Sequence, residues 1–373
     1  MENMLDYIAW RGDLPLDSDG FNEVDNLVLS EIAYVKMDGL VPGPTQDGTV
    51  RVDALLEGYQ AAGYDQSYLN NDPYALLKAA AASRRFGSLP LWGFVNHIDR
   101  GEQVQFAAVT ALLPDGSVFV ACRGTDNTLV GWREDFAFCY AAETVGQAEA
   151  VAYLEQVAAR HAGPIRVGGH SKGGNLAMYA AAFCRADVQE RIVRVYSNDG
   201  PGFNEAVAAT PAFGRMLPKT ELIIPESSLI GVLLNNKQER KIVQSDATGA
   251  QQHNPYTWAV RGTAFVPADQ QTASSLFMTQ ALGRWMDSLS ESERMAFVSA
   301  LFDSLDAAGA ATLAELNAHK WVSYNAVAKA ALALPPNRRK GLTAALKKLA
   351  AAGREVLWNE TKRTFERRDP AEE

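Results

Sequence analysis

Hydrophobic and polar positions change period along the chain. In LDSDGFNEVDNLVLSEIAYV (16–35), turn and capping residues precede Val24, Leu27, Leu29, Ile32 and Val35 at mostly helical spacing. This predicts an amphipathic helix entering the core. LVPGPTQDG (40–48) carries two prolines and two glycines and reads as a loop. DPYALLKAAAASRRFG reads as a helix ending at Gly87. QVQFAAVTALLPDGSVFVACRGTD then holds two strand-like runs, around 103–112 and 117–122, joined by the turn Pro114-Asp115-Gly116. A helix is predicted over 145–161, then the strand IRVGG and a helix over 174–185. ERIVRVYSNDGPGF and ELIIPESS each read as a strand entering a loop, and KIVQS as a short strand.

Strands alternating with helices over 100–245 predict an α/β fold with a mainly parallel sheet covered by helices. After about 268 the strands stop and helical patterns follow one another. The expected organisation is an α/β domain over 1–268 and a helical C-terminal appendage over 269–373. In 340–368, Leu342, Leu346, Leu349, Val356 and Leu357 keep an apolar stripe among basic residues.

Composition changes this picture little. The 373 residues are 47% apolar and 21% charged, which is ordinary for a soluble globular protein. A net charge of -9 argues against nucleic acid as a partner, because phosphate binding needs concentrated Lys and Arg. Cys122, Cys139 and Cys184 form neither a disulfide framework nor a metal-ligand pattern, so reduced thiols and a cytoplasmic protein are expected. The start, MENMLDYIAWRGDLPLDSDG, lacks the basic-then-apolar pattern of a signal peptide, and no run of about 18 apolar residues occurs.

The chemistry centres on Gly169-His170-Ser171-Lys172-Gly173, a G-x-S-x-G pattern between a strand and a helix. Such a turn forces the serine into a strained conformation, and side chains two positions away on either side would strike neighbouring backbone. The helix that follows aims free N–H groups at the site. The competing reading is a structural turn or a phosphate cradle, but no GxxxxGK[ST] is present. A serine nucleophile needs a base and a group that orients the base. Of the five histidines, His253 and His319 follow Ser171. His253 lies in a loop after the last strand-like run and is the expected base. His319 sits in a helical stretch of the appendage and suits a packing role. His170 is expected to pack or hydrogen-bond locally. For the acid, Asp199, Glu226 and Asp246 all stand just past strand-like runs, with Asp199 favoured at the end of a strand entering Gly-Pro-Gly. The expected oxyanion donors are the backbone N–H of Lys172 and that of Thr125, with help from the Thr125 hydroxyl. Arg123 is expected to ion-pair with Asp135 or Glu134 beneath that loop.

CRGTD, WREDF and VGGHSKGG together resemble the RGT…W…D and GHS-x-GG pattern of class 3 (fungal-type) lipases. IAWRGDL, FNEVDNLVLSEIAYV, GGHSKGGNLAMYAA, SNDGPGF, PESSLIGVLL and QQHNPYTW resemble more specifically the bacterial Mbeg1-like proteins, a lipase-related α/β-hydrolase family. The resemblance covers about residues 1–260. It implies an α/β-hydrolase fold, Ser171 as nucleophile, His253 as base, and Thr125 with Lys172 at the oxyanion hole. Two departures stand out. Where class 3 lipases carry their acid, this chain has Ser227-Ser228-Leu229-Ile230. Lys172 replaces a usual apolar residue, and would either meet an anionic substrate or be solvated.

These readings point to a serine hydrolase that cleaves a carboxylic ester of a small molecule or lipid. A non-catalytic binding protein and an acyltransferase using the same site are the alternatives. No cofactor and no metal is demanded. The basic stripe over 338–368 would permit peripheral membrane contact, although a solvated helix face is the commoner meaning of such a pattern.

Overall fold

The computed structural model describes residues 1–64, 73–126, 128–236, 239–307 and 320–366. The chain forms two compact units, Met1–Gln270 and Gln271–Glu373. In the first, β1 (Val50–Arg51), β2 (Pro90–Asp99), β3 (Val104–Leu112), β4 (Val118–Cys122), β5 (Ile165–His170), β6 (Ile192–Asn198), β7 (Thr220–Pro225) and β8 (Arg240–Val243) lie side by side in that order. β1 to β4 pair antiparallel, and β4 to β8 pair parallel. A separate hairpin joins β9 (Val260–Arg261) to β10 (Ala264–Phe265). The helices are α1 (Met4–Arg11), α2 (Glu23–Ile32), α3 (Val52–Ala62), α4 (Pro73–Ala82), α5 (Leu129–Ala137), α6 (Val145–Arg160), α7 (Lys172–Phe183), α8 (Ala186–Arg191), α9 (Glu205–Ala208) and α10 (Pro211–Met216).

β4 explains why the sheet is covered on both faces. Its side chains alternate, and all are buried. Phe119 and Ala121 join the core that α1 to α4 close, whereas Val118, Val120 and Cys122 join the core closed by α6 and α7. A strand buried on both sides reads as a continuous apolar run, as VFVAC does.

Four local expectations differ from the structure. The helix expected to end at Gly87 stops at Ala82. The N–H groups of Arg84 and Arg85 instead donate to the Gly12 carbonyl, so a tertiary contact replaces the last helical turn. α7 begins at Lys172, two residues before expectation, because its first turn grows directly from the Ser171 bend. Residues 90–99, unassigned from sequence, form β2. Lastly, α2 is buried along its length from Val24 to Ile32, rather than amphipathic.

α2 tolerates this burial because its polar groups are partnered. Asn22 caps its first turn, and the Asp25 carboxylate accepts from the Asn22 N–H at 2.9 Å. Arg85 then donates to both Asp25 oxygens, at 2.7 and 2.5 Å, and to the carbonyls of Leu14, Asp19 and Gly20. Neither side chain of this pair touches solvent.

In the second unit, α11 (Ala273–Asp287), α12 (Glu291–Ala307), α13 (Lys320–Ala333) and α14 (Pro336–Glu366) follow one another. Trp285 packs edge-on against Phe297 at 5.1 Å, and its indole N–H donates to the Ala345 carbonyl. Among the described residues no helix is long and apolar enough to cross a membrane.

Arg85→Ala would leave Asp25 charged and buried without its partner. Unfolding in urea should show a loss of about 3–5 kcal/mol, the range for breaking a buried pair on one side. A loss under about 1 kcal/mol would mean that water reaches Asp25 once the guanidinium is gone.

Candidate active site

The backbone at Ser171 is bent as its glycines foretell. Its φ is 57° and its ψ -132°, a region that non-glycine residues rarely enter. The bend is tied down by Ser171 N–H donating to the Asn198 carbonyl and by Gly174 N–H donating to the Ser171 carbonyl, each at 2.9 Å. It also lies against the end of β4. A Cβ on Gly169 would sit 2.5 Å from the Cys122 carbonyl oxygen, and one on Gly173 would overlap that same oxygen. No larger residue fits either place.

Three side chains meet at this bend. His253 Nε2 lies 3.0 Å from Ser171 Oγ. His253 Nδ1 lies 2.6 Å from Asp199 Oδ2. With Nδ1–H donating to the carboxylate, Nε2 is left as the acceptor for the serine hydroxyl. Asp199 stands one residue past β6, with a positive φ of 51° and its N–H on the Ile223 carbonyl at 2.7 Å. Its Oδ1 accepts from Ser228 Oγ at 2.5 Å and from Gly231 N–H at 3.0 Å. The Asp199 carboxylate is fully buried, whereas the His253 side chain is 27% exposed. The carboxylate is therefore fixed, and the imidazole is reachable from outside.

The loop carrying His253 is a 3-10 turn, Gly249–His253, held at several points. Gln252 accepts from the Ser227 N–H at 2.7 Å and donates to the Ala247 carbonyl at 3.0 Å. The buried Trp258 donates its indole N–H to the Gln252 carbonyl. His170 contacts the His253 carbonyl at 2.9 Å, and the two imidazoles lie 4.7 Å apart.

The other residues singled out from sequence are placed as follows. Glu226 lies 3.5 Å from Gln252 Nε2, and Asp246 lies 3.6 Å from the N-terminal ammonium. Neither meets His253 in a hydrogen bond among the described residues. His319 lies outside the described residues. Lys172, as the first residue of α7, has no intrahelical acceptor for its N–H. Its side chain corrects the expectation of a solvated or substrate-facing ammonium. Nζ is buried and donates to the Gln105 carbonyl at 2.6 Å and to Glu134 Oε2 at 3.0 Å. Thr125 follows Gly124 in the loop after β4. Its hydroxyl is committed to Asp135 Oδ2, so it is not a spare donor as expected. Arg123 pairs with neither Asp135 nor Glu134 as expected, but lies 3.0 Å from Asn96 Oδ1 and 3.8 Å from Asp126.

Sequence reasoning missed Glu31 and Tyr34 as neighbours of the site, and it gave Glu134 and Asp135 to Arg123 where they meet Lys172 and Thr125 instead. Glu31 carried a signal, since it is a carboxylate inside the apolar helical stretch NLVLSEIAYV. Glu134 also accepts from the N–H groups of Gln105 and Gly146. Burial pushes the Asp135 carboxyl up to about 7, with Lys172 and the Thr125 hydroxyl acting against the shift and Glu134 and Asp126 adding to it.

The fold is the α/β-hydrolase fold, with the bend at the carboxyl end of β5 and Asp199 at that of β6. A family model described as Mbeg1-like matches residues 80–303, more than half of the chain, and the chain belongs to the Mbeg1-like family. Among solved structures it is similar to the M37 lipase, with 17% identity over 56% of this chain and 69% of that one and a TM-score of 0.35. It is also similar to the Rhizomucor miehei lipase in its propeptide complex, with 13% identity over 65% of this chain and 82% of that one and a TM-score of 0.36. No curated protein matches the sequence.

Asp135 gives a pH signature to this region. Its folded pKa is raised from 3.8 to about 7, so its contribution to stability is complete below the ordinary value and is lost as pH rises through about 7. Asp135→Asn cannot ionise. Its stability relative to the parent protein should therefore climb between pH 4 and pH 7, roughly, and level off above. Urea unfolding at a series of pH values reads this difference, and a flat difference would place the ionisation elsewhere.

Proposed function

We propose that this Mbeg1-like chain is a lipase-like serine hydrolase that cleaves a carboxylic ester through an acyl-enzyme on Ser171. The observation that carries the proposal is the continuous relay from Ser171 Oγ through the His253 imidazole to the buried Asp199 carboxylate. Each contact lies within hydrogen-bond reach, which is the geometry a general base needs.

In this reading His253 Nε2 takes the proton of Ser171 Oγ as that oxygen attacks the ester carbonyl. Asp199 holds the Nδ1–H and stabilises the imidazolium that forms. The backbone N–H groups of Thr125 and Lys172 receive the oxyanion, aided by the N-terminal end of α7. His253 returns the proton to the leaving alcohol, which departs and leaves the acyl group on Ser171. A water then adds to the acyl carbon, giving its proton to His253. The carboxylic acid leaves as Ser171 regains its proton. The lysine side chain takes no part, because its buried pairing with Glu134 keeps it from the substrate. We assign the substrate to small-molecule or lipid esters and the protein to the cytoplasm, in keeping with the reduced thiols expected at Cys122, Cys139 and Cys184, all three of them buried.

A fluorescent fluorophosphonate tests the assignment directly. The purified protein should be labelled, and Ser171→Ala and His253→Ala should not. Asp199→Asn should label about three to four orders of magnitude more slowly, because the imidazole loses its tautomer and its stabilising charge. A folded parent protein that resists the probe, or Ser171→Ala that still hydrolyses an ester, would remove Ser171 from this role and favour a binding function.

A further inference from the structure

His170 precedes Ser171, yet its side chain serves a different part of the site. Its ring is buried, with one nitrogen against each of two acceptors. Nε2 lies 2.9 Å from the His253 backbone carbonyl. Nδ1 lies 3.1 Å from Glu31 Oε1 of α2, a carboxylate that no solvent reaches. A carbonyl oxygen only accepts, so Nε2 must carry a proton. With Glu31 held as a carboxylate, which likewise only accepts, Nδ1 carries one as well. A neutral ring would set a bare lone pair against a buried anion.

We propose that His170 is held as an imidazolium between Glu31 and the His253 carbonyl, so that a glutamate of α2 sets the position of the base. The inference rests on the reading of His253 as that base, and it makes His170 and Glu31 positioning residues. The titratable groups around the ring are Glu31 and Tyr34 from α2 and the residues just after it, Asp199 from the end of β6, and His253 from its loop. The Tyr34 hydroxyl lies 3.5 Å from Nδ1, and Arg123 acts on that tyrosine. Burial pulls the His170 pKa down, but the Glu31 carboxylate, with Asp199 and the His253 carbonyl, outweighs it and leaves the pKa raised above 6.5. A raised histidine contributes fully below its ordinary value and loses its contribution as pH rises through the folded one. Above that point the ring gives up one proton, and one of its two contacts fails.

Three measurements test this together. In protein labelled with 15N at histidine, the His170 ring should carry both protons at neutral pH and lose one at a pH above the ordinary imidazole range. Hydrogen exchange over 249–257 should quicken as pH rises through that same point, beyond the intrinsic pH dependence of exchange. It should also quicken in Glu31→Gln, with both effects read in a Ser171→Ala background where no chemistry occurs. The fluorophosphonate labelling rate of the protein with its serine intact should fall on the alkaline side of its optimum. Glu31→Gln should move that fall to lower pH and slow labelling by roughly tenfold to a hundredfold, the scale of a misplacement of about 1 Å. A His170 ring that is neutral in the parent protein, or exchange over 249–257 that ignores Glu31, would overturn the inference. If the ring and the exchange behave as stated but nothing labels, the hydrolase reading fails and the strut stands. Should Glu31→Gln not fold, the pH course of the unaltered protein decides the matter.

Discussion

The close approach of the β5–α7 bend to the end of β4 is the constraint on which the rest depends. Ser171 has no local reason to hold a φ of 57°, and the conformation survives because its surroundings leave no other. The Cys122 carbonyl fills the space that side chains at 169 and 173 would need. The strand register then does much of the remaining placement. His170 pairs with Asn198, and Asn198 pairs with Ile223, so Ser171 and Asp199 each stand one residue past a paired position on adjacent strands. Parallel neighbours lie about 4.8 Å apart. An imidazole with one hydrogen bond at each end bridges that spacing once the two side chains lean away from the sheet edge.

Legibility followed the range of the interaction. The sheet over 100–245 could be read because alternation, turns and glycine clusters act within a few residues. The bend could be read for the same reason. The acid candidates could be ranked but not separated: Asp199 is favoured for its strand end and Gly-Pro-Gly turn, yet Glu226 and Asp246 also follow strand-like runs. What sets Asp199 apart is the loop after β7, where Ser228 and Gly231, about 30 residues further on, supply two donors to its carboxylate. Ser228 belongs to the stretch where the class 3 resemblance leads one to look for the acid. A hydroxyl at that place thus supports a carboxylate presented by the adjacent strand. β2 was hidden because its register slips between Trp92 and Val95 and its far end is solvated, which blurs the period of two.

The side chain of Lys172 shows the same limit from another direction. A lysine beside a nucleophile invites a role with substrate, and nothing within several residues says otherwise. Its partner is Glu134 on α5, which also takes the N–H groups of Gln105 and Gly146. The carboxylate therefore ties together β3, the start of α6 and the first residue of α7. Only the three-dimensional arrangement turns an apparently reactive cation into a clamp.

Buried ion pairs add little to stability once the cost of desolvating both ions is counted, and apolar replacements of similar volume often serve as well. Their placement here points to a different use. The residue before Ser171 is charge-paired to α2, and the residue after it is charge-paired to α5. Each pair joins positions far apart in sequence, and each is satisfied in a single register of helix against sheet. An apolar side chain at 170 or 172 would tolerate a small slide of those helices, because hydrophobic contact is not directional. A hydrogen-bonded charge would not, since the displaced ion would be left buried and unpaired. The strained serine is thus flanked by the two neighbours least able to shift, and small movements of the surrounding helices are kept from reaching Oγ.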